Sequence, residues 1–413
     1  MTAEVSAGVS GHCRYSYRLR LSSAALTALE GEWDRVRWVW NECVAKSRAV
    51  HAHNRVSGER ATCGPVQLAA MLTEARARTE WLREGACVPQ QQMIRGFGKS
   101  RAKALQDIKA GLPVRQRAGM PKWKKKREAL PTLEYTRRGF RLKDGRLYLA
   151  GGIVVRPVWS RQLPKPPSSV RVYRDAVGHW WASFVVPAVT EQLPSTGCVI
   201  GIDWGVKETA TTTSDAHDLP HPQHGRTAAQ KLAKYQRMMA RRRPAKGQAG
   251  SKGYREAKRQ TAKLHRKAAA QRTDTGRKWA KRVVRDHDAI AVEDFRSKFL
   301  AKTTMARKAA DAAVGATKKA LIEMARKHGR IVHLVHPAHT TMDCAKCGAR
   351  TKHALPLSER TYACTACGAV SPRDKNSARV MLVRAGLNPA SADRVRPAPP
   401  QGTRQRELGI PRL

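Results

Sequence analysis

A multidomain α+β fold is predicted by three features of this 413-residue sequence. A helical stretch near the N-terminus is followed by a run of short alternating strands, and then by segments in the order β, β, helix, β, helix, β. The length suits about two to four domains, and a hydrophobic fraction of 41% can give each one a core. The chain carries 79 Lys or Arg against 32 Asp or Glu, a formal charge of +47. A field that positive excludes an ordinary metabolic enzyme and calls for a polyanion, of which a phosphodiester backbone is the usual one.

Taken in order, Tyr15–Leu21 alternates as a strand, after which Leu26, Leu29, Trp33, Val36, Trp38, Val39 and Trp40 recur at helical spacing. Helical patterning runs to about Lys109, with breaks expected at Gly64-Pro65 and Val88-Pro89. Trp33, Trp38, Trp40 and Trp81 are read as core of this small helical domain. A basic loop follows, Gly119–Arg127, in which Lys122, Trp123, Lys124, Lys125 and Lys126 suit either phosphate contacts with a stacked base or a solvated turn. Strands are expected at 140–142, 146–149, 153–158, 169–174 and 179–186, with Asp144-Gly145 as a hairpin turn; together they predict a β-barrel or sandwich, completed by the strand at 15–21.

Pro187–Thr196 reads as a linker. Beyond it, Cys198–Asp203 and Ala289–Glu293 are apolar runs ending in an acid, with a second β-prone segment at Ala210–Thr213. Residues 226–285 form a helical hairpin broken near Pro244–Gly253, with 21 Lys or Arg against Glu256 and Asp274. A balance so lopsided, Arg241, Arg242 and Arg243 included, points to nucleic-acid contact rather than a solvated face. A helix with Met305, Ala309, Ala312, Ala313, Ala316, Ala320 and Met324 on one face and a strand at Ile331–Val335 complete an α/β sheet with helices on its faces. The last residues, from Arg384, are rich in Pro, Arg and Gly and are expected to be a mobile tail. The N-terminus lacks the basic and apolar regions of a signal peptide, and the chain has no apolar run of about 18 residues, so an intracellular, cytoplasmic protein without membrane contact is expected.

Two constellations carry chemistry. Cys344-Ala-Lys-Cys347 and Cys364-Thr-Ala-Cys367, each followed by Gly, have the spacing of zinc knuckles, and four thiolates close a structural Zn2+ site with no open position. The second is acidic. Asp203 and Glu293 end predicted strands, and Asp374 precedes a short predicted helix; if they converge, three hard oxygen ligands can hold two Mg2+ ions for phosphodiester hydrolysis.

The ordered segments Gly201-Ile-Asp-Trp-Gly-Val-Lys207, Val292-Glu-Asp-Phe295, Pro337-Ala-His-Thr-Thr341 leading into Cys344, and Asp374-Lys-Asn-Ser-Ala378 resemble the signature of the TnpB family. That family comprises transposon-encoded RNA-guided nucleases and the small type V CRISPR effectors similar to them. The resemblance implies a RuvC-like nuclease of RNase H fold (197–338 and 369–385) with a zinc ribbon inserted at 339–368. It also implies a wedge β-barrel (1–22 and 119–190) and a helical recognition lobe (23–118), and the composition leaves 386–413 as a disordered tail. It makes Asp203, Glu293 and Asp374 the Mg2+-binding catalytic triad, Cys344, Cys347, Cys364 and Cys367 the zinc ligands, and Arg360 an auxiliary group at the scissile phosphate. Guide RNA and double-stranded DNA are the implied partners; the oligomeric state is open, with a monomer favoured. The implied activity is RNA-guided DNA cleavage; a guide-dependent regulator that does not cut and a guide-independent RuvC-class nuclease or transposase are the rivals. Trp204, where the family usually has a smaller residue, and Pro372, where an extra acid is common, depart from the pattern.

Overall fold

The computed structural model describes residues 3–5, 11–58, 60–245, 247–295, 300, 303–353, 356 and 358–388. The chain forms two compact units, Ser10–Val189 and a second one made of Met1–Val9 with Thr190–Leu413. The expected tail from residue 389 onward lies outside the described residues.

The short strand β1 (Ala3–Val5) belongs to the second unit, and the first begins with β2 (His12–Arg20). Ser22 caps α1 (Ser23–Val56) by accepting the Ala25 N–H. Next come α2 (Pro65–Arg78), α3 (Glu80–Glu84) and α4 (Cys87–Lys109). The second break falls at Gly85-Ala86 rather than at Pro89, which sits in the first turn of α4, where its missing N–H leaves no bond unmade. Strands β3 (Thr132–Thr136), β4 (Phe140–Lys143), β5 (Arg146–Leu149), β6 (Ile153–Pro157), β7 (Ser169–Arg174) and β8 (Trp180–Pro187) join β2 in one antiparallel sheet, ordered β3-β7-β8-β2-β6-β5-β4. Asp144 and Gly145 both have positive φ, 49° and 68°, as a two-residue hairpin between β4 and β5 requires. The sheet's inner residues, among them Tyr17, Leu133, Leu147, Val172 and Phe184, share a core with Leu29, Trp33 and Val36 of α1. Trp33 is buried and Trp38 and Trp40 are half-buried, but Trp81 is 40% exposed, against expectation. The Arg35 guanidinium covers its ring at 5.6 Å, so the indole is shielded by a cation rather than by a core.

In the second unit β9 (Val199–Trp204), β10 (Glu208–Thr212) and β11 (Leu219–Pro220) lead into the basic hairpin α5 (His224–Arg241) and α6 (Lys252–Asp286). Then follow β12 (Ala289–Glu293), α7 (Ala306–Ala312), α8 (Val314–Lys327), β13 (Ile331–Val335), the small hairpin β14 (Thr361–Ala363) and β15 (Val370–Pro372), and α9 (Arg373–Arg384). The sheet order is β1-β13-β12-β9-β10-β11, with β9, β12 and β13 parallel. The single helix expected over 305–324 is two helices, because Ala313 adopts a left-handed conformation with φ 55°. That turn rotates the buried line onto Ala312, Val314, Thr317, Leu321 and Ala325 and leaves Ala316 exposed. Among the described residues no helix is long and apolar enough to cross a membrane.

Candidate metal centres

Strand alternation decides which side chains meet. Ile200, Ile202 and Trp204 of β9 and Ile290 and Val292 of β12 face one core, with Trp279, Val283 and Leu321 of the flanking helices. Val199 and Ala291 face the opposite side, with Met381 and Leu382 of α9. Asp203 and Glu293 have that second parity, so both point to the α9 side. The ladder pairs Val292 with Ile202, which makes Glu293 and Asp203 the next residues along adjacent parallel strands.

Asp374 reaches the same place because α9 lies directly on β9. A Cβ at Gly201 would stand 2.0 Å from the Ala378 carbonyl oxygen, so only glycine allows this approach. Asp374 sits inside the first turn of α9 rather than before it, since helical geometry begins at Arg373. Lys375 fixes that turn laterally: its Nζ donates to the Thr212 carbonyl (2.9 Å) and to Asp218 (2.8 Å), and it pairs with Asp215 at 2.6 Å.

Asp203 feels both of the other carboxylates. Burial, then the charges of Glu293 and Asp374, push Asp203 well above the usual carboxylate range, with Arg373 opposing. Burial pushes Glu293, only 8% exposed, up to about 7, against the Trp204 backbone N–H and Lys318, which favour its charged form. Lys318 is tied to Asp294 at 2.5 Å. The Trp204 indole donates to the Glu293 carbonyl (3.2 Å) and meets Trp279 edge-on at 5.8 Å. The bulky residue at this position therefore clamps the strand bearing Asp203 to the strand bearing Glu293. Arg360 lies 3.8 Å from Asp374 and is half in solvent. Crowded carboxylates at raised pKa are a donor set suited to a hard divalent cation, which would relieve both burial and repulsion.

The cysteines are gathered more tightly. Their four Sγ atoms all lie within 4.8 Å of one another, the only such ligand group among the described residues. Two like knuckles build it: Gly348 and Gly368 take φ of 75° and 67° and donate to the Cys344 and Cys364 carbonyls at 2.9 and 3.0 Å. Backbone N–H groups of Cys367 and Ala366 bring the Cys364 thiol down to about 6, favouring the thiolate a metal needs. This donor set suits Zn2+. Asn376, buried on α9, joins the two centres: its Nδ2 donates to the Asp343 carbonyl (2.8 Å) and its Oδ1 accepts the Ala345 N–H (3.1 Å), on either side of Cys344. Arg373 donates to the Pro356 carbonyl at 2.8 Å, holding the segment before Arg360.

The basic candidates divide. Lys124 is half-buried with its Nζ 4.3 Å over the Trp40 ring, and Lys126 pairs with Asp34 at 2.6 Å, so both pin the loop to α1. Trp40 and Asn41 reinforce that seam through bonds to the Lys122 carbonyl (2.8 Å) and the Lys124 N–H (2.8 Å). Lys122 and Lys125 are exposed, as is Trp123, 5.5 Å from the Arg48 guanidinium. Arg241, Arg242 and Arg243 are exposed at the turn of the basic hairpin. The supporting roles of Trp204, Lys318, Lys375 and Asn376 were not assigned from the sequence. The signal available for two of them was a lysine and an asparagine directly after Asp374.

Residues 183–304 match the OrfB_IS605 family, described as "Probable transposase", and residues 315–381 match "Cas12f1-like, TNB domain". A Streptomyces pristinaespiralis protein named "Putative RNA-guided DNA endonuclease" is 30% identical over 97% of this chain and 98% of its own length. An Escherichia coli K12 protein, "Putative RNA-guided DNA endonuclease InsQ", is 26% identical over 76% of this chain and 79% of its own. A solved Cas12f1-sgRNA-target DNA complex shares the fold, with a TM-score of 0.52 over 90% of this chain and 98% of that one at 12% identity. A relation that spans nearly the whole length of both proteins, together with those two family matches, places this chain in the TnpB family, which includes the miniature type V CRISPR effectors.

Proposed function

We propose that the chain is an RNA-guided DNA endonuclease of the prokaryotic cytoplasm, cutting DNA at a single RuvC-like site after guide pairing beside a short flanking motif. The observation that carries this reading is the carboxylate cluster, in which Asp203 is pushed up by burial and by the charges of Glu293 and Asp374. In this reading Ser10–Val189 combines the recognition lobe and the wedge barrel. The second unit is the nuclease with its ribbon, and a sequence-reading RNA explains a charge of +47.

Asp203, Glu293 and Asp374 would hold Mg2+, and Cys344, Cys347, Cys364 and Cys367 would hold one structural Zn2+. Two bound Mg2+ ions supply an activated water and charge stabilisation for the leaving 3′-oxygen. The chain's own part is positional. β9 and β12 fix two carboxylates on one face, α9 delivers the third, and Lys375 and Trp204 hold those elements still. Arg360, exposed beside Asp374, is placed to meet a phosphate oxygen. The exposed cations of the α5–α6 hairpin, Arg241–Arg243 among them, would neutralise the backbone of the paired strands.

The test is Mg2+-dependent cleavage of a matched plasmid by protein carrying its co-purified RNA. Asp203→Ala is expected to abolish cutting while RNA and DNA binding persist. Equal cutting by variant and parent would overturn the assignment.

A further inference from the structure

Helices α2 and α4 run antiparallel and are pinned at both ends. At one end Arg76 Nη1 donates to Gln90 Oε1 (2.8 Å), and at the other Arg101 Nη1 donates to the carbonyl of Cys63, just before α2 (3.0 Å). Between the pins lies an open groove of about 770 Å³. Pro65, Ala69, Leu72 and Arg76 line it from α2, at steps of four, three and four residues. Gln91, Arg95, Gly98 and Ala102 line it from α4 at alternating steps of four and three, and Leu105, 40% exposed, continues that line. Such steps average about 3.5 residues, the repeat with which helices seat one another's side chains. The pair therefore presents the seam that a third helix needs.

Gly98 points the same way. A glycine inside a helix destabilises it relative to alanine, and internal packing can require one. At Gly276 of α6 it does, since a Cβ there would stand 2.9 Å from Thr317 Oγ1. At Gly98 a Cβ would meet nothing within 4 Å, so no contact among the described residues requires the glycine. What it does is keep the groove open, and close approach of another backbone is a use of glycine.

The lining also sets the chemistry of the occupant. No aromatic residue lines the groove, so a base has no ring to stack on, and Ala69, Leu72, Ile94 and Ala102 offer a phosphate no side-chain donor. Arg95 and Lys99, one turn apart on α4, line it too; both are exposed, and among the described residues neither has an ion-pair partner. We infer that this groove docks an amphipathic helix of a partner protein, apolar along the seam and carrying Asp or Glu beside Arg95 and Lys99. Residues 389–413 of this chain hold five Arg against two acids, the wrong sign for those cations, and a second copy carries the same +47. The inference goes beyond the guided reading, because it adds a protein to the partners of a nuclease.

The experiment pans a phage-displayed library against full-length protein carrying its co-purified RNA. The library consists of helices of about four turns, with Leu fixed at the alternating steps and the flanking positions random. Recovered helices are expected to be acidic on one flank. Synthetic copies are expected to bind Gly98→Leu, whose side chain fills the groove, at least about 10-fold more weakly than the parent. Against Arg95→Gln/Lys99→Gln the loss should be about 3- to 10-fold and should vanish as salt is raised. Gly98→Leu is expected to melt no lower than the parent and to cut a matched plasmid as well, because leucine favours a helix and open space receives it. No recovered helix, helices that bind Gly98→Leu and the parent equally, or helices with basic or uncharged flanks would each overturn the inference. Loss of cutting in Gly98→Leu, or displacement of the bound helix by duplex DNA, would assign the groove to nucleic acid and overturn it as well. So would a dimer of the parent that Gly98→Leu dissolves, which would make the occupant a second copy.

Discussion

The two candidate metal-ligand sets in the second unit are assembled in opposite ways. The four cysteines fall between residues 344 and 367, and two backbone turns of the same kind bring the thiols together. The carboxylates are spread from residue 203 to residue 374, and no turn relates them; strand parity and the docking of α9 on β9 do. The thiols are already gathered, whereas the acids do not form so tight a group, though the charges of Glu293 and Asp374 help burial push Asp203 up. A local set can be closed by short-range geometry, but a dispersed set exists only while the core behind it does.

That contrast can be broken most sharply at Gly201. Gly201→Val puts side-chain atoms where the Ala378 carbonyl stands and should lift α9 from β9. Displacing a reacting group by about 1 Å can cost about 100-fold, so cleavage is expected to fall by at least that much. Zinc content, measured by atomic emission, should stay at one ion per chain, since both knuckles keep their own backbone bonds. Loss of zinc along with cleavage would show that the ribbon depends on the sheet.

Breaking the set from the other side should have a smaller effect on cleavage. Asn376→Ala removes the two bonds between α9 and the Cys344 knuckle. Losing hydrogen bonds that orient a ligand-bearing turn costs about 10- to 100-fold, so cleavage is expected to fall about 10-fold, with faster zinc loss to a chelator. Normal cleavage with fast zinc loss would mean that the acids do not lean on the ribbon.

The smallest effect is in pH. Burial pushes Glu293 up to about 7 in the folded protein, above its ordinary 4.5, so the metal-free fold keeps this proton at pH values where the unfolded chain has released it. Its stability from this group is fully present below about 4.5 and is lost as pH rises through about 7. Glu293→Gln should therefore raise the melting temperature of metal-free protein near pH 8, by about 1–3 kcal/mol in stability, and do little near pH 4. Mg2+ should stabilise the parent and not the variant. A difference between the two that does not change with pH would show that Glu293 is not held at a raised pKa.

Most elements were legible because their patterns are local. β7, β12 and β13 fall where alternation and apolar runs put them, and the basic hairpin breaks around Pro244, its second helix starting at Lys252. β3 was missed because Thr132–Thr136 is short, with only Leu133 and Tyr135 apolar, and it is a strand through its pairing with β7. The break at Ala313 was invisible because nothing in an alanine asks for positive φ. Trp81 was misplaced because hydrophobicity does not say which arginine will cover an exposed ring.

The sequence by itself determined the zinc-ligand spacing, the charge that demands a polyanion, and the placing of Asp203 and Glu293 at the ends of apolar strands. Each follows from near neighbours, at periods of two, three or four residues. Only the tertiary structure decided that α9 lies against Gly201, that Trp204 joins two strands, that Asn376 ties the ribbon to the acids, and that a groove lies open between α2 and α4. Those relations depend on register and on packing between segments distant in the chain, and composition and periodicity carry no record of which distant surfaces fit.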